Sequence, residues 1–404
     1  MHIHPLITDR AELEKLVKRL SDAPFVAIDT EFMRENVYFP DLCLVQIAGN
    51  GEAAAIDPKA EGMKDLDPLM ELLTRKDDTL KVFHAGGQDV EIIYNMTGTT
   101  PLPIFDTQIA AMALGQGEQI GYAGLVEAWL GHQLDKGARF TDWARRPLDK
   151  RQIDYAIGDV THLAEIFPSM LDRLRETGRG AWLNEEMEKL ADPANYRVDP
   201  NEVWRRVKVQ SRKADVLGRL KALAAWREEE ARRKDLPRGR IVKDETLADI
   251  ASHPPKQQSD LSKIRGLSTT WNENDIGKRM MAALAKAQPL PRDEMPDRGG
   301  RGPSLGKEGA LVADLLKLLL KIRAKEIDVA SKLISRSDDL ERLAAGEREG
   351  IGILEGWRFE QFGRDALDLV EGRMAFTVVG NKLKMTRTQQ DNPADQEETD
   401  TPAS

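Results

Sequence analysis

The sequence predicts an α/β domain with a mixed sheet, followed by two small all-helical domains. Between residues 25 and 170, short apolar segments of strand length alternate with helical patterns, which is typical of an α/β fold. Beyond about residue 200 the strand patterns stop and only helical periodicity remains. A segment rich in Pro and Gly then divides the helical part into two blocks, because such a composition cannot supply a core.

The α/β domain is predicted to occupy residues 1–195. Strands are predicted at Phe25–Asp29, Leu42–Ala48, Ala53–Asp57 and Lys81–His84. Helices are predicted at Leu66–Thr74, Val90–Met96, Thr107–Leu114, Leu125–Leu130 and Lys150–Leu174. Because strands lead the segment and helices are interleaved later, we expect a mixed sheet.

The C-terminal half is predicted to contain a helical domain at residues 210–290, a linker at 291–306 and a second helical domain at 307–380. Helical patterns in the first of these domains cover Ala214–Lys234, Asp244–Ser252, Gln258–Ile264 and Asn274–Ala287. The tail, residues 386–404, is polar and nearly without apolar residues, which predicts disorder.

Composition indicates a globular protein, with 41% hydrophobic and 31% charged residues. The longest apolar stretch, Leu311–Ile322, is interrupted by three charged residues, so we expect no membrane span. The N-terminal residues lack the basic and then apolar pattern of a signal peptide. Cys43 is the single cysteine, which excludes an intramolecular disulfide and argues against a cysteine-based zinc site. We therefore expect a reducing, cytoplasmic location.

The formal net charge of −9 argues against binding to nucleic acid by bulk attraction. It leaves room for a locally basic surface, since association responds to the local field. Between Arg205 and Lys243 there are 14 Lys or Arg residues and 5 Asp or Glu residues, a local balance of +9. A solvated helix face explains such a segment equally well.

Two acids follow the first predicted strand directly, in the segment FVAIDTEF (Phe25–Phe32). Side chains at positions i and i+2 share one face of a strand, so Asp29 and Glu31 can point at the same place. Two neighbouring carboxylates repel each other and need a cation, a shared proton or a wet site. A strand that simply enters a polar loop would show the same triplet.

Two further segments carry acids that could join them. In KVFHAGGQDVE (Lys81–Glu91) a strand passes through two glycines into a helix, which places Asp89 in the first helical turn, where helix capping is a common alternative role. In a later helical pattern, Tyr155 and Asp159 are four residues apart and share one helix face. A surface hydrogen bond is the alternative for this pair.

These four acids, in this order and with Tyr155 four residues before Asp159, resemble the DEDD family of 3′–5′ exonucleases. In relatives that use a histidine, the histidine lies five residues before the last Asp, where this chain has Asp154, so the spacing fits the tyrosine subtype. Other segments resemble ribonuclease D and the HRDC modules that follow its nuclease domain. They are Phe105–Ala111, Gly121–Val126, Thr141–Leu148 and Lys234–Leu247, with a fainter match at Gly356–Phe359 and Gly363–Leu367.

The resemblance implies a ribonuclease H-like exonuclease domain and two HRDC-type domains. It also implies a 3′–5′ exoribonuclease that releases nucleoside 5′-monophosphates from precursor tRNA and other small structured RNAs, with no membrane and no obligate protein partner. Two divalent ions, Mg²⁺ or Mn²⁺, would be held by the four acids, which suit hard cations. Tyr155 would orient the attacking water.

Contacts to RNA are predicted from position in the sequence alone. The candidates are Phe32 and Gln46 for the terminal-nucleotide pocket, and Arg238, Arg240 and Lys243 for the RNA backbone. His84 and His162 are expected to have structural roles, and His162 lies close enough to Asp159 in sequence to contact a metal ligand. The alternatives are a DNA 3′–5′ exonuclease of the same family and a catalytically silent RNA-binding protein.

Overall fold

The structure is a computed structural model, and it describes residues 1–75, 79–135, 137, 141–296 and 305–387. They form two compact units, one from the described residues within 1–110 and 121–296 and the other from those within 111–120 and 305–387. The first unit contains both the α/β domain and the first helical domain. None of the described helices combines the length and apolar character needed to cross a membrane.

The α/β domain contains a six-stranded mixed sheet with the order β1-β4-β3-β2-β5-β6. The strands are β1 (His2–Ile3), β2 (Phe25–Met33), β3 (Asp41–Gly49), β4 (Glu52–Ile56), β5 (Leu80–Phe83) and β6 (Ile104–Asp106). Neighbours β2/β3 and β3/β4 are antiparallel, while β1/β4, β2/β5 and β5/β6 are parallel. The predicted mixed sheet is confirmed. The sequence missed β1 and β6 because strands of two and three residues are too short to show a pattern.

Helices cover both faces of this sheet. They are α1 (Arg10–Leu20), α2 (Asp67–Thr74), α3 (Gly87–Thr97), α4 (Thr107–Ala113), α5 (Tyr122–Leu130), α6 (Lys150–Glu176) and α7 (Asn184–Ala191). One apolar core joins Val26 and Ile28 of β2 to helices α1, α2 and α3. A second joins Leu44 of β3 to Ala156 and Ile157 of α6. The sheet is therefore buried on both faces, and β2 runs through the centre.

Helix α6 begins at a capping box, which fixes its first turn. The side chain of Asp149 accepts a hydrogen bond from the backbone N–H of Gln152 at 2.8 Å, and the backbone N–H of Asp149 donates to Oε1 of Gln152 at 3.0 Å. Such reciprocal bonds satisfy backbone donors that the helix itself leaves unpaired. The helix that carries Tyr155 and Asp159 is thus anchored at its N-terminus.

The first helical domain follows a 3₁₀ turn at Val203–Arg206. It contains α8 (Ala214–Lys234), α9 (Arg238–Ile241), α10 (Asp244–Ser252) and α11 (Asp275–Lys286), with 3₁₀ turns at Gln258–Lys263 and Thr269–Asn272. The chain after α11 still belongs to this domain. Leu290 is 4% exposed within the core, and its backbone N–H donates to the carbonyl of Ala214 at 2.9 Å. Met295, in the predicted linker, packs against the same core.

The second unit differs from the all-helical prediction. Its helices are α12 (Lys307–Glu326), α13 (Ser331–Ile334), α14 (Ser337–Ala344), α15 (Gly356–Arg358) and α16 (Arg364–Val370), with a 3₁₀ turn at Gly352–Leu354 and a π-helix at Phe359–Gly363. An antiparallel hairpin then forms from β7 (Met374–Val379) and β8 (Lys382–Arg387). The prediction of an all-helical domain is therefore wrong for this segment. The hairpin is mostly exposed, so its strands lack the alternating burial that sequence patterns detect.

Two other boundaries differ from the prediction. Residues 111–120, assigned from sequence to the α/β domain, pack with the second unit, where the backbone N–H of Ala330 donates to the carbonyl of Met112 at 2.9 Å. The predicted disordered tail begins inside β8, which includes Thr386 and Arg387. Residues 297–304 of the predicted linker and 388–404 of the predicted tail lie outside the described residues.

Candidate active site

Three polar residues, Asp29, Thr30 and Glu31, lie in the C-terminal half of strand β2. Their side chains alternate between the two faces of the sheet. Asp29 and Glu31 occupy alternate positions on β2, so they share the face that α6 covers. The intervening Thr30 faces the other way and is buried. The strand continues to Met33, with an irregularity in its pairing between Glu31 and Phe32, so Glu31 lies on the strand and the alternative of a polar loop does not apply.

Helix α6 adds a third carboxylate to this face. Asp159 is 8% exposed, and one oxygen each from Asp29, Glu31 and Asp159 lie within 4.8 Å of one another. These three acids were predicted from two separate segments of the sequence, and the fold brings them together. An all-oxygen set of this kind suits a hard divalent cation such as Mg²⁺ or Mn²⁺.

Asp89 lies in the first turn of α3, directly after the tight turn that joins β5 to this helix. Ala85 has a left-handed backbone with φ of 56°, and a Cβ on Gly86 would lie 2.5 Å from the Cβ of Phe83. Only glycine fits so close an approach. The buried carboxylate of Asp106 accepts hydrogen bonds from the backbone N–H groups of Ala85 at 3.1 Å and Gly86 at 2.8 Å. Asp106 therefore fixes the turn that starts α3.

The carboxylate of Asp89 is held by the threonine between the other two acids. Oγ1 of Thr30 donates to Oδ1 of Asp89 at 2.5 Å, and both residues are buried. Asp89 lies outside the group of three that meet within 4.8 Å. It is nevertheless electrostatically close to them, since the charge of Asp29 raises its pKa.

Burial and mutual repulsion perturb these acids. Burial raises the pKa of Asp29 well above its usual value, and the nearby charge of Asp159 raises it further. Burial also raises the pKa of Asp89, with Asp29 as the next cause. Both shifts mean that the ionised forms lack a compensating positive charge. The residues present therefore fit a bound cation, which would supply that charge.

Tyr155 lies one helical turn before Asp159 and lines the same small pocket. This pocket has a volume of about 280 Å³, and Gly158 and His162 also line it. The ring of Tyr155 packs near Trp143, with ring centroids 6.3 Å apart. Nδ1 of His162 donates to the carbonyl of Gly158 at 2.6 Å, so this side chain is tied to the helix backbone.

Tyr122 is a second tyrosine beside the carboxylates, and the sequence interpretation gave it no role. Its hydroxyl contacts the backbone carbonyls of Asp159 at 2.5 Å and Gly158 at 3.0 Å. Burial raises its pKa strongly, with the charge of Asp159 as the next cause. Tyr122 therefore stays protonated and can donate to α6. Tyr122 lies in the segment Gly121–Val126, which resembles ribonuclease D, and that resemblance could have marked it as a candidate residue of the site.

The predicted RNA-contacting residues are dispersed. Phe32 follows Glu31 on β2 and is partly exposed, with the Arg34 guanidinium 5.9 Å from its ring centroid. Gln46 lies opposite Asp29 in the sheet but is fully buried, and neither atom of its side-chain amide has a hydrogen-bond partner among the residues that the structure describes. Such burial does not fit the prediction that Gln46 lines an open nucleotide pocket.

The three basic candidates lie in the first helical domain, and one of them is already paired. Arg238 contacts both carboxylate oxygens of Glu228, including Oε1 at 2.8 Å, and its guanidinium lies 5.1 Å from the ring centroid of Tyr38. Glu228 is fully buried, so Arg238 serves first to compensate that charge. Arg240 and Lys243 are exposed.

Comparison with known sequences identifies the family. Residues 5–175 match the 3′–5′ exonuclease family, and residues 216–289 match the HRDC domain family. The chain is 70% identical to the ribonuclease D of Sphingobium indicum over 389 residues, which are 96% of this chain and 100% of that protein. It is 61% identical to the ribonuclease D of Zymomonas mobilis over 386 residues, covering 96% of this chain and 99% of that protein.

The chain belongs to the ribonuclease D family. The structure of Escherichia coli RNase D, described as an exoribonuclease involved in structured RNA processing, is 30% identical, with a TM-score of 0.75 over 91% of this chain and 99% of that one. As a ribonuclease D family member the chain is a metal-dependent 3′–5′ exoribonuclease that acts on RNA. The ribonuclease H-like fold and the HRDC domain at 216–289 agree with the expectations from sequence.

Proposed function

We propose that Asp29, Glu31, Asp89 and Asp159 hold two divalent ions, Mg²⁺ or Mn²⁺, at the 3′ end of an RNA chain. The observation that carries this proposal is the convergence of three carboxylates within 4.8 Å. The raised pKa values of Asp29 and Asp89 support it, because an excess of buried negative charge is relieved by a cation. When bound, such ions supply positive charge to the attacking and leaving oxygens of an in-line displacement.

The protein groups then have separable roles. Thr30 donates to Asp89 and so fixes one carboxylate from the opposite face of β2. Tyr122 holds the backbone of Asp159, which limits the freedom of the helix that supplies the third acid. Tyr155 lines the pocket beside Asp159, where its hydroxyl would orient the attacking water. Hydrolysis by water would release nucleoside 5′-monophosphates.

The substrates that we propose are precursor tRNAs and other small structured RNAs with 3′ extensions, in the cytoplasm. The family supports this proposal, together with the description of the Escherichia coli relative as a structured RNA processing enzyme. No obligate protein partner is proposed. Arg240 and Lys243 remain candidates for the RNA backbone because both are exposed.

The test of the metal site compares Asp159→Asn with Asp154→Asn. Both acids lie on α6, but Asp154 is exposed and pairs with Lys150 at 2.6 Å. We expect Asp159→Asn to abolish Mg²⁺-dependent trimming of a 5′-labelled RNA and to weaken Mn²⁺ binding in calorimetry. Asp154→Asn should behave as the wild type. Equal trimming by the Asp159→Asn variant and the wild type would refute the assignment.

Two further measurements address product and substrate. Chromatography of the released nucleotides should show 5′-monophosphates. Release of 3′-monophosphates would exclude the proposed cleavage between phosphorus and the 3′ oxygen of the preceding nucleotide. Matched RNA and DNA oligonucleotides test the preference for ribose, which a protein can recognise through the 2′-hydroxyl. Equal or faster degradation of DNA would contradict the proposed RNA preference.

A further inference from the structure

A cleft of about 880 Å³ lies where the α/β domain meets the first helical domain, within a single compact unit. Its lining is rich in arginines and aromatic rings. They include Arg34, Phe39, Tyr94, Tyr196, Arg197 and Arg238. None of these side chains belongs to the carboxylate site.

Two walls of the cleft are continuations of the elements that carry the acids. Arg34 comes three residues after Glu31 at the end of β2, a distance of at most about 10 Å along an extended chain. Tyr94 comes five residues after Asp89 on α3, a rise of about 7.5 Å along the helix. Arg34 and Tyr94, which line the cleft, therefore lie within about 10 Å, along the chain, of two of the proposed metal ligands.

The side chains of the cleft suit an unpaired nucleic acid strand. Phe39 is 41% exposed, and the rings of Tyr94 and Tyr196 lie 6.0 Å apart with an interplanar angle of 37°. Arg197 is exposed, and its guanidinium has no ion-pair partner among the described residues. Aromatic faces that stack on bases, together with arginines that follow phosphates, are the usual means of binding single strands.

Hydrogen bonds between the two domains hold the floor of the cleft. The hydroxyl of Tyr38 donates to the buried Glu228, which also binds Arg238. Oδ1 of Asp235 accepts hydrogen bonds from the backbone N–H groups of Tyr38 and Phe39, each at 3.0 Å. These bonds join the two domains and hold Phe39 at the rim. A ligand would therefore meet a preformed surface, which lowers the entropic cost of binding.

We infer that this cleft binds the single-stranded RNA immediately 5′ of the terminal nucleotide. The inference rests on the proposed function for the position of the 3′ end, although the cleft can bind RNA without metal. It assigns the upstream nucleotides to Tyr94, Phe39 and Arg197. Arg238 acts as a support for the surface and not as the main phosphate contact.

The experiment measures binding of a 5′-fluorescein-labelled octaadenylate RNA by anisotropy, in EDTA and at several salt concentrations. We expect Tyr94→Ala to weaken binding about tenfold through the loss of stacking, while Tyr94→Phe stays near wild type. Arg197→Ala should weaken binding and lower the slope of log affinity against log salt by about 0.7. The controls are Met96→Ala, an exposed position on α3, and Arg173→Ala, an exposed arginine on α6.

Arg197 is exposed, so its variant keeps the test valid even if Tyr94→Ala fails to fold. An unchanged affinity and salt slope for Arg197→Ala, or equal losses in Arg173→Ala, would overturn the inference. The proposed function fails separately. If Asp159→Asn trims RNA normally while Arg197→Ala binds weakly, the metal site is wrong and the cleft stands; the reverse pattern leaves the metal site and removes the cleft.

Discussion

Replacing Asp29 with asparagine should stabilise the metal-free protein while it destroys the proposed metal site. The three carboxylate oxygens of Asp29, Glu31 and Asp159 lie within 4.8 Å of one another. At that separation, two ionised groups repel by about 3.5 kcal/mol for an effective dielectric constant of about 20. Protonation of one acid relieves part of this repulsion, so we expect a net gain of about 1–3 kcal/mol at pH 8.

The pH dependence follows from the direction of the pKa shifts. The folded-state pKa values of Asp29 and Asp89 are raised by burial and by neighbouring acids. The folded protein therefore binds more protons than the unfolded chain over a range that begins near the ordinary aspartate pKa of about 3.9. Stability falls as the pH rises through this range. The advantage of Asp29→Asn should thus be largest at pH 8 and should shrink towards pH 4.

Thermal melts in EDTA at pH 4, 6 and 8 measure this effect. A gain of 1 kcal/mol corresponds to a rise in Tm of about 2–4 °C for a domain of 150–250 residues. Added Mn²⁺ should raise the Tm of the wild type and have little effect on the variant. Asp154→Asn, which removes an exposed acid from α6, is the control and should melt like the wild type. If Asp29→Asn melts at or below the wild-type temperature at pH 8 in EDTA, carboxylate repulsion is not a feature of the metal-free site.

Three further predictions concern other parts of the chain. Tyr155→Phe should lower kcat about 10²–10³-fold in RNA hydrolysis while Mn²⁺ affinity in calorimetry stays unchanged, since it removes only the hydroxyl that we propose orients the water. Weaker Mn²⁺ binding would contradict this role. Glu228→Ala should lower the free energy of unfolding in denaturant by about 3–5 kcal/mol, because it removes the buried carboxylate that arginines now contact. A loss below 1 kcal/mol would show that water replaces the carboxylate. Leu290→Ala should cost about 2–5 kcal/mol because this side chain is 4% exposed in the domain core. The matched Leu311→Ala, at a position 60% exposed, should be nearly neutral, and equal costs would place Leu290 outside the core.

The candidate site could largely be predicted because its signals are local. The alternation of a strand places Asp29 and Glu31 on one face, and the period of a helix places Tyr155 and Asp159 on another. Each of these statements needs only a few consecutive residues. The meeting of the strand with α6 was inferred from the family resemblance, and the structure shows it as a distance between oxygen atoms.

Features that depend on distant partners could not be predicted in the same way. Thr30 and Asp89 are 59 residues apart, and their hydrogen bond has no local signature. Counting charges made the segment Arg205–Lys243 look strongly basic, but Glu228 and Glu230 are buried in it and each binds arginines. Residue counts treat every charge as free, whereas the fold pairs several of them. The β7/β8 hairpin was not predicted for a different reason. It is mostly exposed, so its strands lack the alternating burial that sequence patterns detect.

The contribution of acids from both β2 and α6 has a consequence for when the proposed site is complete. On one side of the sheet, Thr30 of β2 contacts Asp89 of α3. On the other side, Asp29 and Glu31 of β2 face Asp159 of α6. The last of the four acids enters the chain only at Asp159. A nascent polypeptide or a proteolytic fragment that ends before α6 therefore carries three acids and an incomplete site. Under the proposed function, such a fragment would not degrade RNA, because the fourth carboxylate reaches the site only when α6 is present.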